Sequence, residues 1–258
     1  MANFLKSRNP IIGEKTFESK MNKVDSRSNV DVIDSHIISD DNSTMTMEGS
    51  INKSLTLLGI LLCTTMVSYM MPSMILMWVG MLGGLGVVVY ASFKPHTAPI
   101  TAPLYAALEG LFVGSISAMF AMMYEGIVFQ AVSLTMGTLF MMLMIYKTGI
   151  IKVTQKFKTG VMMATGAIML MYVISIIGSF AGFQVPYLHE SGMMGIGISV
   201  VIIGVASLNL LIDFDAFEQG VKAQAPKYME WFVAMGLLVT LIWLYVEFLR
   251  LLSKLSSD

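Results

Sequence analysis

The amino-acid sequence predicts a bundle of seven transmembrane helices that follows a polar N-terminal tail. Of its 258 residues, 55% are apolar and 13% are charged, whereas soluble domains carry about 25% charged residues. The mean hydropathy is +0.73. The apolar residues form long runs, and a span needs roughly 20 such residues to cross about 30 Å of hydrocarbon. Barrel strands are excluded because they have about 10 residues and alternate in polarity.

Residues 1–53 form the predicted tail, and residues 54–258 form the predicted transmembrane domain. The tail is polar, and the first long apolar run begins at Leu55, too far along the chain for a cleavable signal peptide. Acidic residues are spread through the tail, and mitochondrial transit peptides avoid them. We therefore expect a flexible cytoplasmic tail.

The seven runs are separated by turn signals or charged loops. The predicted spans are residues 55–71, 74–93, 103–123, 127–146, 161–183, 193–217 and 231–252. Pro72 and Ser73 divide the first two runs, a segment with three prolines precedes the third, and Glu125 with Gly126 predicts a tight turn after it. The remaining connections are residues 147–160, 184–192 and 218–227.

The distribution of Lys and Arg predicts the orientation of the chain. With seven spans, the tail shares one side of the membrane with the second, fourth and sixth loops. That side holds all but two of the 16 basic residues, and the opposite side holds Arg250 and Lys254. The positive-inside rule then places the N-terminus in the cytoplasm and the C-terminus outside.

Small residues recur at three- or four-residue spacing in three spans, in the segments GMLGGLG, GLFVGSIS and GIGISVVIIGVAS. Small faces let helices approach each other closely. We expect a compact intramolecular bundle in the lipid bilayer, present as a monomer or a weak homo-oligomer.

Carboxylates in the apolar runs are the candidate functional residues, because an ionised group in hydrocarbon is costly and marks a site. Glu247 has apolar neighbours on both sides, and Asp213 follows the apolar segment LNLLI. Glu109, Asp215 and Glu230 are supporting candidates. These acids indicate a site for a proton or for a hard cation such as Ca²⁺, although Glu247 can also pair along its helix with Arg250.

Enzymatic, metal-cofactor and nucleic-acid functions find no support in the sequence. It contains no nucleophile elbow, phosphate loop, HExxH or CxxC motif, and its three histidines are scattered. The net charge of −1 gives no reason to expect nucleic acid. We expect a protein without catalytic activity or cofactor.

Several segments are similar to the transmembrane Bax inhibitor motif family, and to its bacterial YccA-like branch in particular. They are NPIIGEKTFE, PLYAALEGLFVGSIS, LIDFDAFE and APKYMEWFVAMGLLVTLIWLYVEFLRLL. The resemblance covers residues 9–254. It implies a seven-helix fold whose last helix is central, and a pH-sensitive Ca²⁺ leak channel, here in a bacterial inner membrane. It also implies a gating pair of acids on the sixth and seventh helices, at positions that match Asp213 and Glu247.

This chain departs from the family pattern in that the second acid is Glu rather than Asp, and in the long interval between the two acids. Helix rise also opposes contact, because a straight seventh helix would carry Glu247 far beyond Asp213. Glu230 would then lie near Asp213 or Asp215. A seventh helix that enters the membrane later would instead allow the gating pair to meet.

A second functional class stays open for this chain. The polar 53-residue tail favours a non-transporting regulator that binds another membrane protein, such as a quality-control protease.

Overall fold

A computed structural model describes residues 44–180 and 192–256, and these residues contain seven long helices. They are α1 (Met47–Met70), α2 (Met74–Phe93), α3 (Ala98–Met123), α4 (Ile127–Thr148), α5 (Gln155–Phe180), α6 (Met193–Lys222) and α7 (Met229–Ser256). All seven are long and apolar enough to cross a membrane, which confirms the predicted fold class. The last part of the fifth predicted span and residues 184–191 lie outside the described residues.

Most helices extend beyond the apolar runs that predicted them. Helix α1 begins at Met47 because Thr46 caps it, accepting a hydrogen bond from the Gly49 N–H at 3.0 Å. Helix α3 begins at Ala98 and keeps Pro103 inside it. Hydropathy marks only the part of a helix that lies in hydrocarbon, whereas capping decides where the helix ends. Helix α1 thus starts within the predicted tail, of which residues 1–43 lie outside the described region.

Helix α7 is the central helix, as the family resemblance implied. Its spanning part is 72% buried, against at most 39% for the other described spans. It packs against α1, α3, α4 and α6, while α2 packs on α3 and α5 packs on α6. Helix α5 is the most peripheral, with 6% of its span buried.

Glycines bring α1, α2 and α3 into close contact. A Cβ atom at Gly110 of α3 would lie 2.6 Å from the Leu61 carbonyl oxygen of α1, and one at Gly80 would lie 2.5 Å from the Leu108 carbonyl oxygen. The prediction from small residues therefore holds for the second and third spans. It does not hold in the same way for the sixth, where a Cβ at Gly197 or Gly204 would meet nothing within 4 Å.

The segment before α1 is tied to the connection between α6 and α7. Thr44 and Pro226 form an antiparallel bridge, and the Met45 N–H donates to the Ala225 carbonyl at 2.7 Å. The Met45 side chain is buried against Gly220. We call residues 44–46 the strap, and the end of the bundle where they lie the strap end.

Candidate functional site

Polar side chains pair across α5, α6 and α7 at successive depths from the strap end to the opposite end. We call this set the polar ladder. Its members are Lys158, Thr165, Tyr172, Ser199, Asn209, Asp213, Asp215, Thr240, Glu247, Arg250 and Lys254. Helix α5 starts near the end of α6, and α7 ends near the start of α6, so residues far apart in sequence share a depth.

The ladder begins with an ion pair near the strap end. Lys158, in the first turn of α5, pairs with Asp215 near the end of α6. Asp215 is 7% exposed, so the ammonium group compensates a carboxylate that is largely withdrawn from solvent. The pair also holds the start of α5 against α6.

Asp213 faces the central helix. Successive helical residues are offset by about 100°, so Asp213 lies on a different side of α6 from Asp215. Its carboxylate lies beside the Thr240 side chain, and its Oδ1 atom lies 4.0 Å from where a Cβ on Gly236 would be. Its Oδ2 atom is buried without a hydrogen-bond partner in the described part of the chain, and no described Lys or Arg forms an ion pair with it. Glycine at 236 leaves room beside the carboxylate.

We call the side chains that meet at one depth of the ladder a rung. The next rung is uncharged and lies about one turn from Asp213, toward the start of α6. The Asn209 side-chain amide donates to the Thr165 hydroxyl of α5 at 2.8 Å and to the Val205 carbonyl at 2.9 Å. Its own amide oxygen is a further acceptor at this depth. The rung continues the line of polar groups beyond Asp213.

Glu247 forms the next rung, and it is 1% exposed. Its Oε1 atom accepts hydrogen bonds from the Tyr172 hydroxyl at 2.5 Å and from the Arg250 guanidinium at 3.1 Å. The guanidinium also lies 5.0 Å from the centre of the Tyr172 ring. The structure therefore shows the local pairing with Arg250 that the sequence had left open.

Lys254 completes the ladder at the end opposite the strap. It is 8% exposed, and its ammonium group donates to the Gly195 carbonyl and the Ser199 hydroxyl of α6, both at 3.0 Å. Glu247, Arg250 and Lys254 recur every three to four residues and share one face of α7. The spacing had indicated the pairing of Glu247 with Arg250, and the same spacing extends to Lys254.

Asp213 and Glu247 belong to different rungs. Asp213 is level with Thr240, and Glu247 lies seven residues further along α7, a rise of about 10 Å. No described hydrogen bond joins the two carboxylates, and the described residues contain no group of three or more His, Cys, Asp or Glu placed to hold a metal. The structure therefore does not bring these two acids together.

Glu230, in the first turn of α7, lies away from the ladder and contacts the start of α1. It is fully buried, and its Oε1 atom accepts hydrogen bonds from the Thr46 N–H at 2.9 Å and the Thr46 hydroxyl at 3.0 Å. Lys227 lies 3.5 Å away. A carboxylate is favourable at a helix N-terminus, where N–H groups point outward. Glu230 thus joins α7 to the strap, and no described contact links it with Asp213 or Asp215.

Glu109 lies between α2 and α3, also away from the ladder. It is 9% exposed, it lies beside Tyr105 one turn back on the same helix, and a Cβ at Gly84 would lie 2.4 Å from its Oε1 atom. Gly84 therefore makes the space that this side chain fills.

Sequence reasoning missed the ladder residues that bear no conspicuous signal. Lys158 was assigned to a loop, and Thr165, Tyr172 and Asn209 are ordinary residues within apolar runs. A single polar residue in a span marks an inward face, but the sequence does not say which residue on another helix it meets.

The fold defines a multi-pass membrane protein whose last helix is central and carries a buried, ion-paired carboxylate. The chain belongs to the Bax inhibitor 1 like family, which matches it over residues 9–257. The bacterial YccA-like branch stays a prediction. A search of curated proteins finds no match to this chain.

Proposed function

We propose that this protein is a non-enzymatic, pH-sensitive leak pathway for cations, Ca²⁺ among them, and that the ions move along the polar ladder. The observation that carries the proposal is Asp213, a carboxylate without an ion-pair partner among the described residues, in the middle of a line of oxygen-bearing side chains. Family membership supports the same class of function. We further propose the bacterial inner membrane as its location.

The ladder supplies the chemistry that a hard cation needs. Thr240 lies beside Asp213, Thr165 and Asn209 bring further neutral oxygen atoms about one helical turn away, and carboxylate and carbonyl oxygens are among the ligands that Ca²⁺ prefers. An ionised Asp213 attracts a cation and a protonated Asp213 does not, so proton binding at this residue would reduce the flux. We therefore expect the cation flux to fall at low pH.

An ion pair near each end of the ladder controls whether a cation can pass. Asp215 neutralises Lys158 near the strap end, and Glu247 neutralises Arg250 near the other end. Loss of either carboxylate would leave a positive charge that repels cations. Glu247 therefore acts in gating through Arg250 and Tyr172, rather than by sharing an ion with Asp213. The peripheral helix α5 carries Lys158 and Tyr172 and is the element whose movement would widen the path.

Calcium flux into liposomes tests this proposal. We expect flux that falls as the pH is lowered, and a reduction of about tenfold or more in Asp213→Asn, because one charge near an ion contributes more than 1.4 kcal/mol in a site shielded from water. Glu247→Gln is expected to lower flux through the unpaired Arg250. Glu125→Gln, in the turn before α4, is the matched control. Flux equal to wild type in both ladder variants would overturn the residue assignment, and no flux at any pH would overturn the leak activity.

The strap favours a second candidate function, the regulator that binds another membrane protein. Residues 1–43 join the bundle through residues 44–46, which contact both the α6–α7 connection and Glu230 of the central helix. A partner held by the tail would therefore act directly on the start of α7. If deletion of residues 1–43 leaves calcium flux intact but abolishes co-purification with a membrane-bound quality-control protease, the tail serves such a partner.

A further inference from the structure

A deep apolar groove runs along the bundle on the side away from the polar ladder. Helices α1 and α4 form its two walls, and α3 and α7 form its floor. The groove has a volume of about 450 Å³. On α1 it extends from Leu58 to Tyr69, twelve residues that rise about 16 Å.

The lining is suited to hydrocarbon. Leucine, valine, isoleucine and methionine side chains make up most of it, and apolar cavities of this kind stay dry and take apolar guests. The volume lies within the range of about 300–1,000 Å³ that is common for ligand sites. The floor includes Val113, Leu238 and Ile242, each less than 10% exposed.

The rim of the groove is continuous with the lipid-facing surface. Leu62 and Met66 of α1 are 57% and 67% exposed, and Val132 and Met136 of α4 are 42% and 41% exposed. All four also line the groove. Because the bundle spans a bilayer, lipid chains surround this rim and can enter the groove from the side.

One polar atom indicates how a lipid chain would lie. The Thr65 hydroxyl oxygen is buried in the groove wall and makes no hydrogen bond within the described residues. Thr65 is five residues from the end of α1, a rise of about 7 Å, and Tyr69, one turn further on, lies at the same end of the groove. The ester end would lie at Thr65 and Tyr69, and the methyl end would lie at Leu58 and Leu238.

We propose that this groove is a binding site for one acyl chain of a membrane phospholipid. The site is separate from the polar ladder, and it does not depend on the proposed leak activity. A bound chain would fill the space between α1 and α4 and restore the dispersion contacts that an open groove lacks.

Photolabelling in liposomes tests the site. The probe is a phosphatidylethanolamine with a diazirine group in its palmitoyl chain, mixed into phosphatidylglycerol vesicles that contain the full-length protein. We expect labelling of the buried floor at Val113, Leu238 and Ile242, in addition to the exposed surface that bulk lipid reaches. Labelling of the exposed surface without the floor would overturn the proposal.

Two groove-filling variants and a control separate insertion from general contact. Val132→Trp and Met136→Trp each place an indole ring in the groove, and we expect floor labelling to fall to background in both. Met141→Trp, which is exposed on the side of α4 away from Val132 and Met136, is the control and should label like wild type. Unchanged floor labelling in both groove variants would contradict an acyl-chain site. A dimer mass that is lost in those variants, with an unlabelled floor in wild type, would assign the groove to a second copy of the chain instead.

Discussion

At the residue scale, the buried carboxylates differ in what compensates them. Glu247, Asp215 and Glu230 each have a basic partner, and Glu230 also accepts hydrogen bonds from the N–H and hydroxyl groups of Thr46 at the start of α1. Asp213 lies beside the neutral side chain of Thr240 and forms no ion pair with a described residue. A charge withdrawn from water is tolerated only when such partners are present. Asp213 and Glu109 are the buried acids without an ion pair among the described residues, and we assign ion binding to Asp213 because it is the one that lies on the polar ladder.

Arg250→Gln tests whether the ion pair stabilises the last helix. The change leaves Glu247 buried beside Tyr172 without its cation, and an unsatisfied buried group costs about 1–3 kcal/mol, more when it is charged. We expect the free energy of unfolding to fall by about that amount, measured by thermal unfolding in detergent. Because the Arg250 side chain is 42% exposed, we expect the loss of stability to lie toward the lower end of that range.

A double variant distinguishes charge compensation from lost packing. Glu247→Gln combined with Arg250→Gln removes both charges, and we expect it to be more stable than Arg250→Gln alone. If the two single effects simply add in the double variant, the pair is not coupled, and the ion pair does not explain the stability of this region.

At the element scale, close packing between α1 and α3 depends on glycine. A Cβ at Gly110 would lie 1.8 Å from the Thr64 hydroxyl oxygen and 2.6 Å from a backbone carbonyl. The side-chain oxygen can rotate away, but the backbone carbonyl cannot. Helix α1 would have to move outward to make room for any larger residue.

Gly110→Ala should therefore destabilise the bundle by about 1–3 kcal/mol, the usual cost of overpacking. Gly204→Ala is the matched control, because a Cβ there meets nothing within 4 Å, and alanine is favoured over glycine in helices by up to about 1 kcal/mol. Thermal unfolding by circular dichroism in detergent compares them. Equal stability of the two variants would contradict the close contact between α1 and α3.

The start of α1 is the second element whose stability can be tested. Thr46→Ala removes the cap of α1 and one hydrogen bond to Glu230, and loss of a cap costs about 0.5–2 kcal/mol. We expect a loss toward the upper end, since the buried carboxylate also loses a donor. Thr56→Ala, whose exposed hydroxyl bonds only its own helix in the described structure, is the control. Protection of the first turn of α1 from hydrogen exchange should fall only in Thr46→Ala.

At the scale of the whole molecule, the excess of basic residues on one side predicts the orientation of the bundle. With Cys63 replaced by Ala, Glu125→Cys places a thiol in the predicted outer turn, and Gln224→Cys places one in the predicted cytoplasmic connection. We expect a membrane-impermeant maleimide to label the first variant in intact cells and the second only after the cells are opened. The reverse pattern would overturn the predicted orientation.

The number of spans and most of their extent could be predicted because the bilayer imposes a length on each apolar run. The helix ends were harder to predict from the sequence, because the strap and the cap at Thr46 depend on Glu230, which lies far away in the chain. The pairing of Glu247 with Arg250 was foreseeable as an option because residues three apart share a helix face. The partners of Asp213 were not, because they lie on another helix.

The sequence by itself determined the membrane class, the seven spans, the predicted orientation and the set of buried acids, because hydrocarbon acts on each segment separately. Tertiary structure decided which acids have partners: Asp215 meets Lys158, Glu230 meets Thr46, and Asp213 and Glu247 occupy different depths. The physical reason is that a charge in lipid must be compensated at its own depth, and the partners available there come from the neighbouring helices.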